Sequence, residues 1–318
     1  MIRPSARPPR SLSEGLRHFF FDPGGAEVAV EFSSDVVVGA RVESKRGKSG
    51  LRSIACEPLP EGAFAPTLEN PGFVGKEQIR DAVRRVLAKI GATPSVRAAL
   101  VVPDALARFR LFAQDEVKGE PKKRDSVVAF RMQKLLPFAP GDVRVVSAWP
   151  RSLVEPVIGI GFSAAVLGAY EHVGQAFGLD VGSVETSSMA LLRGLSTEGD
   201  VLLVRHDPAW VTLTLTRKGW PVSIRSFDAA VARNPEEVRR EISSTAVFWR
   251  DRLFGERLEA AFIQASDPWF ELLSAEVASV FGGLPERPRP PAHLVVAGLP
   301  PSVERSAAPA LALLGALH

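Results

Sequence analysis

The sequence predicts an α/β protein of two similar domains that face each other across a cleft. Two observations carry this. A strand–strand–strand–helix unit occurs twice, about 170 residues apart, and a duplicated unit of that kind packs as two related layers. Between the copies lies a stretch of different character, helical from Lys122 to Leu136 and then strand-like, which reads as an inserted subdomain.

Each element has a local reason. In the first unit, Val28 to Phe32, Val36 to Val42 and Leu51 to Glu57 are strand-like, with "SKRGKSG" turning the last two. From Glu77 to Ile90, the residues Ile79, Val83, Val86, Leu87 and Ile90 share one helical stripe, and Gly91 is the stop. In the second unit the strands are Val201 to Val204, Val211 to Thr216 and Val222 to Phe227, with "RKGWP" as a turn. Pro235, Glu236 and Glu237 then open a helix running towards Leu253. "RAALVVP" (97–103) is a strand, "PWFELLSAEVASVFG" (268–282) a helix, and "APALALLGALH" (308–318) a last, mostly apolar helix that packs down.

Composition is that of an ordinary soluble chain, 46% hydrophobic and 24% charged over 318 residues. The net charge of +3 is accounted for by Arg3, Arg7, Arg10 and Arg17 against Glu14, so no folded basic face for nucleic acid is expected. Residues 1–25 read as a disordered basic leader whose arginines could hold anionic lipid, with Phe19, Phe20 and Phe21 folding back on their own domain. A single cysteine, Cys56, excludes disulfide frameworks and cysteine zinc sites, and no pair of the five histidines has metal-ligand spacing. The longest apolar run, Pro156 to Tyr170, is too short for a membrane helix of ~20 residues. A soluble cytoplasmic protein is expected.

Two enzyme-like motifs compete. "GIGFSA" (159–164) fits G-x-G-x-x-A, and Asp180 falls where a ribose-binding acid belongs. However, Gly159 and Gly161 alternate with Ile158, Ile160 and Phe162 inside the strand, and leave little glycine-rich turn. Around Ser163 the same run is like a nucleophile elbow without its last glycine, and His206, His293 and His318 have no catalytic setting. Trp210, Trp220, Trp249 and Trp269 read as core or interface rather than stacking platforms. The hairpin "AVEFSSDVVVGARV" (29–42) is the remaining candidate. Its tip, Ser33, Ser34 and Asp35 after Glu31, could cradle a phosphate or be only a turn.

The order of units, with "FRMQKLLPFAPGDVRVV" (130–146), "EVRREISSTAVFWRDRL" (237–253) and "APALALLGAL" (308–317), resembles the PilM family, cytoplasmic actin-like proteins of the type IV pilus machine related to FtsA. The resemblance covers about residues 26 to 318. It implies an actin-like ATPase fold, with two ribonuclease-H-like domains and an inserted small subdomain. The first domain would span 26–195, including the insert at about 115–180, and the second 196–318. In that family the hairpin is the first phosphate loop, with Asp, a spacer and Gly-Ser-Ser. Here Glu31 stands for the Asp and Ser33 for the Gly, before Ser34 and Asp35. The second loop, Asp-x-Gly in the family, is Arg205, His206, Asp207 and Pro208, and the adenosine turn is Ala265, Ser266, Asp267 and Pro268. All three nucleotide contacts are altered, so no ATP or magnesium is expected to bind, and no enzyme activity. The resemblance further implies a scaffold at the cytoplasmic face of the inner membrane, peripheral to it, among other pilus machine components. It would bind the N-terminal segment of a bitopic, PilN-like protein in a groove beside the insert. Pro137 and Phe138 would shape that groove, with Phe138 as the plug under the insert, and Val143 and Val145 would meet the peptide. The alternatives are an ATP-binding actin-like protein and the cytoplasmic part of an L-type type II secretion protein.

Overall fold

Strand pairing divides the chain into three sheets, each with a local cause. The computed structural model describes residues 25–45, 48–118, 120, 123–150, 152–195, 198–289, 294, 303 and 306–317. The expected leader, including Phe19, Phe20 and Phe21, falls outside these residues. In the first sheet β1 (Val28–Phe32), β2 (Val36–Lys45) and β3 (Lys48–Pro58) form an antiparallel meander. Helix α1 (Lys76–Ile90) crosses back and β4 (Arg97–Val102) lies parallel to β1. The α1 stripe Ile79, Val83, Val86 and Ile90 is buried, and Gly91 closes the helix at φ 65°, the left-handed geometry a glycine tolerates without a Cβ penalty.

The second sheet repeats this plan. β9 (Asp200–Asp207), β10 (Trp210–Arg217) and β11 (Trp220–Asp228) form the meander, followed by the short α5 (Ala229–Ala232), then α6 (Pro235–Leu253), β12 (Ala260–Gln264) parallel to β9, and α7 (Asp267–Phe281). With β8 (Asp180–Thr186) beside β4, the sheet orders are β3-β2-β1-β4-β8 and β11-β10-β9-β12, so the duplicated unit is a duplicated sheet. The start signals of α6 hold in detail: Asn234 Oδ1 accepts from the N–H groups of Glu236 and Glu237, and Pro235 takes the first helical position. Strands β9 and β10 are longer than the apolar runs alone suggested, because Arg205, His206 and Asp207 continue the pairing to the cleft end.

The third sheet, β5 (Ala107–Phe112), β7 (Val157–Ser163) and β6 (Val143–Ala148) in that order, is the insert, covered by α2 (Arg124–Gln133). It begins and ends earlier than the expected 115–180. The opening strand β5, "ARFRLF", alternates charged and apolar residues and was read as no element. The segment after β7 returns to the first domain instead: α3 (Ala164–Ala176) packs on β4 and on β8 (Asp180–Thr186), and α4 (Ser187–Gly194) follows.

Helix α2 is also shorter than expected. It ends at Gln133, and Leu135 and Leu136 donate to Met132 and Gln133 in a tightened last turn, because the residue before a proline is pushed out of the helical region. Leu136 is the buried plug, and Phe138 is only half-buried. Gly159 and Gly161 explain themselves here. A Cβ at Gly161 would lie 2.6 Å from Leu136 Cδ1, and one at Gly159 2.9 Å from Met132 Sδ, so the glycines let α2 approach the sheet. Ser163 caps α3, accepting from Val166 N. The whole "GIGFSA" motif is packing and capping.

The last helix, α8 (Ala308–Leu317), lies against β1, β2 and α4, with Ala310, Leu311 and Leu314 buried on Ala29, Val38 and Ala40. Trp210, Trp220 and Trp249 are core residues, as expected, and Trp269 is half-buried. Trp220 Nε1 donates to Pro156 O at 2.9 Å and ties the insert to the second domain.

Candidate functional site

Because both sheets use one plan, the hairpin tips after β1 and after β9 are equivalent, and they meet. The first tip is Ser33, Ser34 and Asp35, closed by Ser33 N donating to Val36 O at 3.0 Å. The second is the turn after Asp207, closed by Ala209 N donating to Asp207 Oδ1 at 2.9 Å. Across the gap, Ser34 N donates to Asp207 Oδ2 at 3.0 Å and the Ser34 hydroxyl donates to the other carboxylate oxygen. An anion held by a backbone N–H and a hydroxyl at a tight turn is the geometry of a phosphate site. Here the anion belongs to the chain itself.

The cation is internal too. Arg205 is 5% exposed. Its guanidinium lies 3.6 Å from Glu31 Oε1 and donates to Ser33 Oγ at 3.1 Å and to His206 O at 2.9 Å. Glu31 is fully buried at the end of β1, and its other oxygen accepts from Ala310 N at 3.2 Å in the first turn of α8, where a carboxylate complements the helix dipole. Burial pushes the Glu31 carboxyl up to about 8, with the Arg205 guanidinium pulling the other way. Burial also raises Asp207, against Arg205 and the Ser34 bonds that lower it. His206, stacked on Trp269 at 3.9 Å and bonded to Ala232 O, is pushed down to about 4 by burial, so it stays neutral near pH 7.

The structure therefore brings Glu31, Ser33, Ser34, Arg205 and Asp207 into one cluster. Asp35 and Ser266 sit exposed on the rim of a cleft of about 430 Å³ beside it. Its lining includes Asp35, Asp207 and Asp267, carboxylates that disfavour a polyphosphate, and none of its three loops contains a glycine. The residues do not fit a nucleotide with magnesium: the Arg205 guanidinium, not an open position, lies beside the Glu31 carboxyl, and Pro208 offers no N–H. The contribution of His206 and Trp269 was missed; their contact joins residues far apart in sequence with no motif between them.

The expected partner residues are placed differently. On β6, Val143 is buried and Val145 packs with Val128 and Met132 under α2, while Pro137 is exposed beyond that helix. The side chains of Val143 and Val145 are therefore turned away from any guest, because alternate residues of a strand face opposite sides and this side is the insert's own core. A larger groove of about 980 Å³ lies at the other edge of the insert, between β5 and β11. Phe109, Ile224, Phe227 and Val231 give it apolar walls, and Arg108 and Arg233 add charge.

No protein-family profile matches the chain, and no curated protein matches it in sequence. Among solved structures it is similar to a chain of a PilM–PilN type IV pilus biogenesis complex, at TM-score 0.72 and 14% identity over 93% of this chain and 98% of that one. It is also similar to a Bacteroides thetaiotaomicron protein with an actin-like ATPase fold and unknown function, at TM-score 0.51 and 10% identity over 84% and 92%. The cytoplasmic domain of EpsL, an inner membrane component of the Vibrio cholerae type II secretion system, matches at TM-score 0.48 and 11% identity over 79% and 94%. With the duplicated sheets and the facing hairpin tips, the first two of these likenesses establish that the chain has the actin-like ATPase fold.

Proposed function

We propose that the protein is a non-enzymatic scaffold of a type IV pilus or related machine, and that it holds a short segment of a PilN-like membrane protein. The observation that carries the non-enzymatic part is the Arg205–Glu31 pair with the Asp207–Ser34 bonds. Cation and anion positions of the cleft are occupied by side chains of the chain itself. The likeness to a chain of a PilM–PilN complex supports the partner class.

The groove between β5 and β11 is the seat the geometry favours. It has a volume of about 980 Å³, is walled in part by apolar side chains, and is flanked by two edge strands, so an extended segment can add main-chain hydrogen bonds while its apolar side chains enter pockets. The outer edge of β6 offers only main chain, because its valines are used by the core. Among the described residues no helix is long and apolar enough to cross a membrane.

Calorimetry tests both halves. Millimolar ATP with Mg²⁺ should give no heat and no magnesium-dependent rise in melting temperature. Micromolar ATP affinity would instead make this an ATP-binding member of the fold. A PilN-like N-terminal peptide should bind the wild type, and Phe109→Asp should weaken it at least tenfold. Full affinity in a folded Phe109→Asp protein would move the site elsewhere.

A further inference from the structure

The cleft and the groove share one wall. The turn between β9 and β10 presents Asp207 and Pro208 to the cleft, and Ala209 lines the groove. On the cleft side Asp207 holds Ser34 of the other domain. On the groove side Pro208 O accepts from Arg233 Nε at 3.1 Å, and Arg233 itself lines the groove. His206, one residue before, meets Ala232 O at 2.9 Å, in the α5 segment whose Ala229, Ala230 and Val231 complete that wall. A continuous set of hydrogen bonds thus runs from the first hairpin tip, through the second, into the groove.

We propose that Ser34, Arg205 and Asp207 form a permanent latch, which holds the two domains closed without nucleotide and positions the wall of the partner groove through the β9–β10 turn. This rests on the groove being the partner's seat only for its consequence on affinity; the latch itself is a property of the free protein. Two features argue for a latch rather than incidental packing. Its bonds join residues 172 and 173 positions apart, on two separate sheets, so they constrain the relation between domains rather than either domain's own fold. They also satisfy the hairpin donors that an external phosphate would otherwise take, so ligand has nothing left to close. Ser34, Arg205 and Asp207 are positioning residues: none needs to touch the guest.

Amide hydrogen exchange on the full chain reads the latch directly. In Asp207→Ala, exchange at Ala209 and at Ala229 to Arg233 should accelerate about tenfold or more, while the β1–β2 ladder and the β10–β11 ladder from Thr212 onward keep their wild-type protection. Asp207→Asn retains an acceptor oxygen for Ser34 N and should fall between. Ser34→Ala removes one cross-domain bond and leaves Asp207 in place, so it serves if Asp207→Ala does not fold. Peptide affinity should fall tenfold in the variant that releases the wall. Uniform acceleration across all strands, or no acceleration at the turn in either folded variant, overturns the latch. A wild-type protein that ignores the peptide overturns the groove assignment, and the exchange comparison still decides the latch.

Discussion

The hairpin tips after β1 and after β9 occupy equivalent places in duplicated sheets, yet they have diverged in opposite directions. The first tip keeps small side chains and an available backbone N–H, and remains a donor turn. The second carries a cation in Arg205, an anion in Asp207 and a proline without an N–H, and is the ligand of the first. The difference teaches how two facing turns of one plan can serve as donor and acceptor for each other. Charge that would come from solution is supplied by side chains, and the donors that would face an empty site are satisfied internally. Merely deleting the loops would leave buried donors and the Glu31 carboxylate unpaired, which is the costly outcome.

Removing the cation should have the largest effect. Arg205→Ala leaves Glu31 buried beside the α8 terminus without its counter-ion, and breaking a buried pair by deleting one partner costs about 3–5 kcal/mol. Denaturant unfolding at pH 9 should show this loss in full. At pH 6 Glu31 takes up a proton and the loss should be smaller. Equal losses at both values would mean that the two side chains are not coupled, and that the second tip is not the first one's counterpart.

Titrating Glu31 itself comes next. Its pKa in the fold, about 8, lies above its ordinary value, so the native state binds more protons and stability present at low pH is lost as pH rises towards 8. Asp207, also raised, acts in the same sense. His206, pushed down to about 4, acts oppositely, but only below its ordinary value near 6.5. From pH 6.5 to 8 His206 no longer acts, and Glu31 is still releasing its extra proton. Melting temperature should decline across this window in the wild type and decline less steeply in Glu31→Gln. A decline unchanged by the substitution would assign it to another group.

How much of this was legible in the sequence differs between the two tips. Strand-like apolar runs with their turns marked both meanders, Pro235, Glu236 and Glu237 marked the start of α6, and the α1 stripe was visible outright. The first tip was legible as a phosphate-type turn, because its chemistry is local. The second was legible only as damage: Arg205 and Asp207 read as losses, since their partners Glu31, Ser33 and Ser34 lie more than a hundred residues away. Pairing at that distance is set by the sheet duplication, which carries no local signal. The insert fared likewise. The β7 glycines were read as part of the strand, but their partners, Met132 and Leu136, belong to a helical segment brought over them by tertiary packing. Phe138 was favoured as plug for its place after the stop at Pro137, whereas it is Leu136 in the tight turn before that proline that is buried.

The smallest expected effect is at Ser33, where the PilM-like pattern has glycine. If Ser33 were only an eroded glycine, restoring Gly would relieve strain and reopen the phosphate turn. Ser33 is not among the positive-φ residues, so it has no conformational need of glycine. Its hydroxyl accepts from Arg205 at 3.1 Å in a buried setting. Ser33→Gly should therefore cost stability, on the order of 1–2 kcal/mol for a hydrogen bond to a charged group and the added chain entropy. It should not recover ATP binding, because Asp207 still holds Ser34 N and its hydroxyl. Chemical unfolding with a parallel ATP titration checks both points. A stabilised Ser33→Gly protein would make the first tip a relic rather than the matched half of a latch.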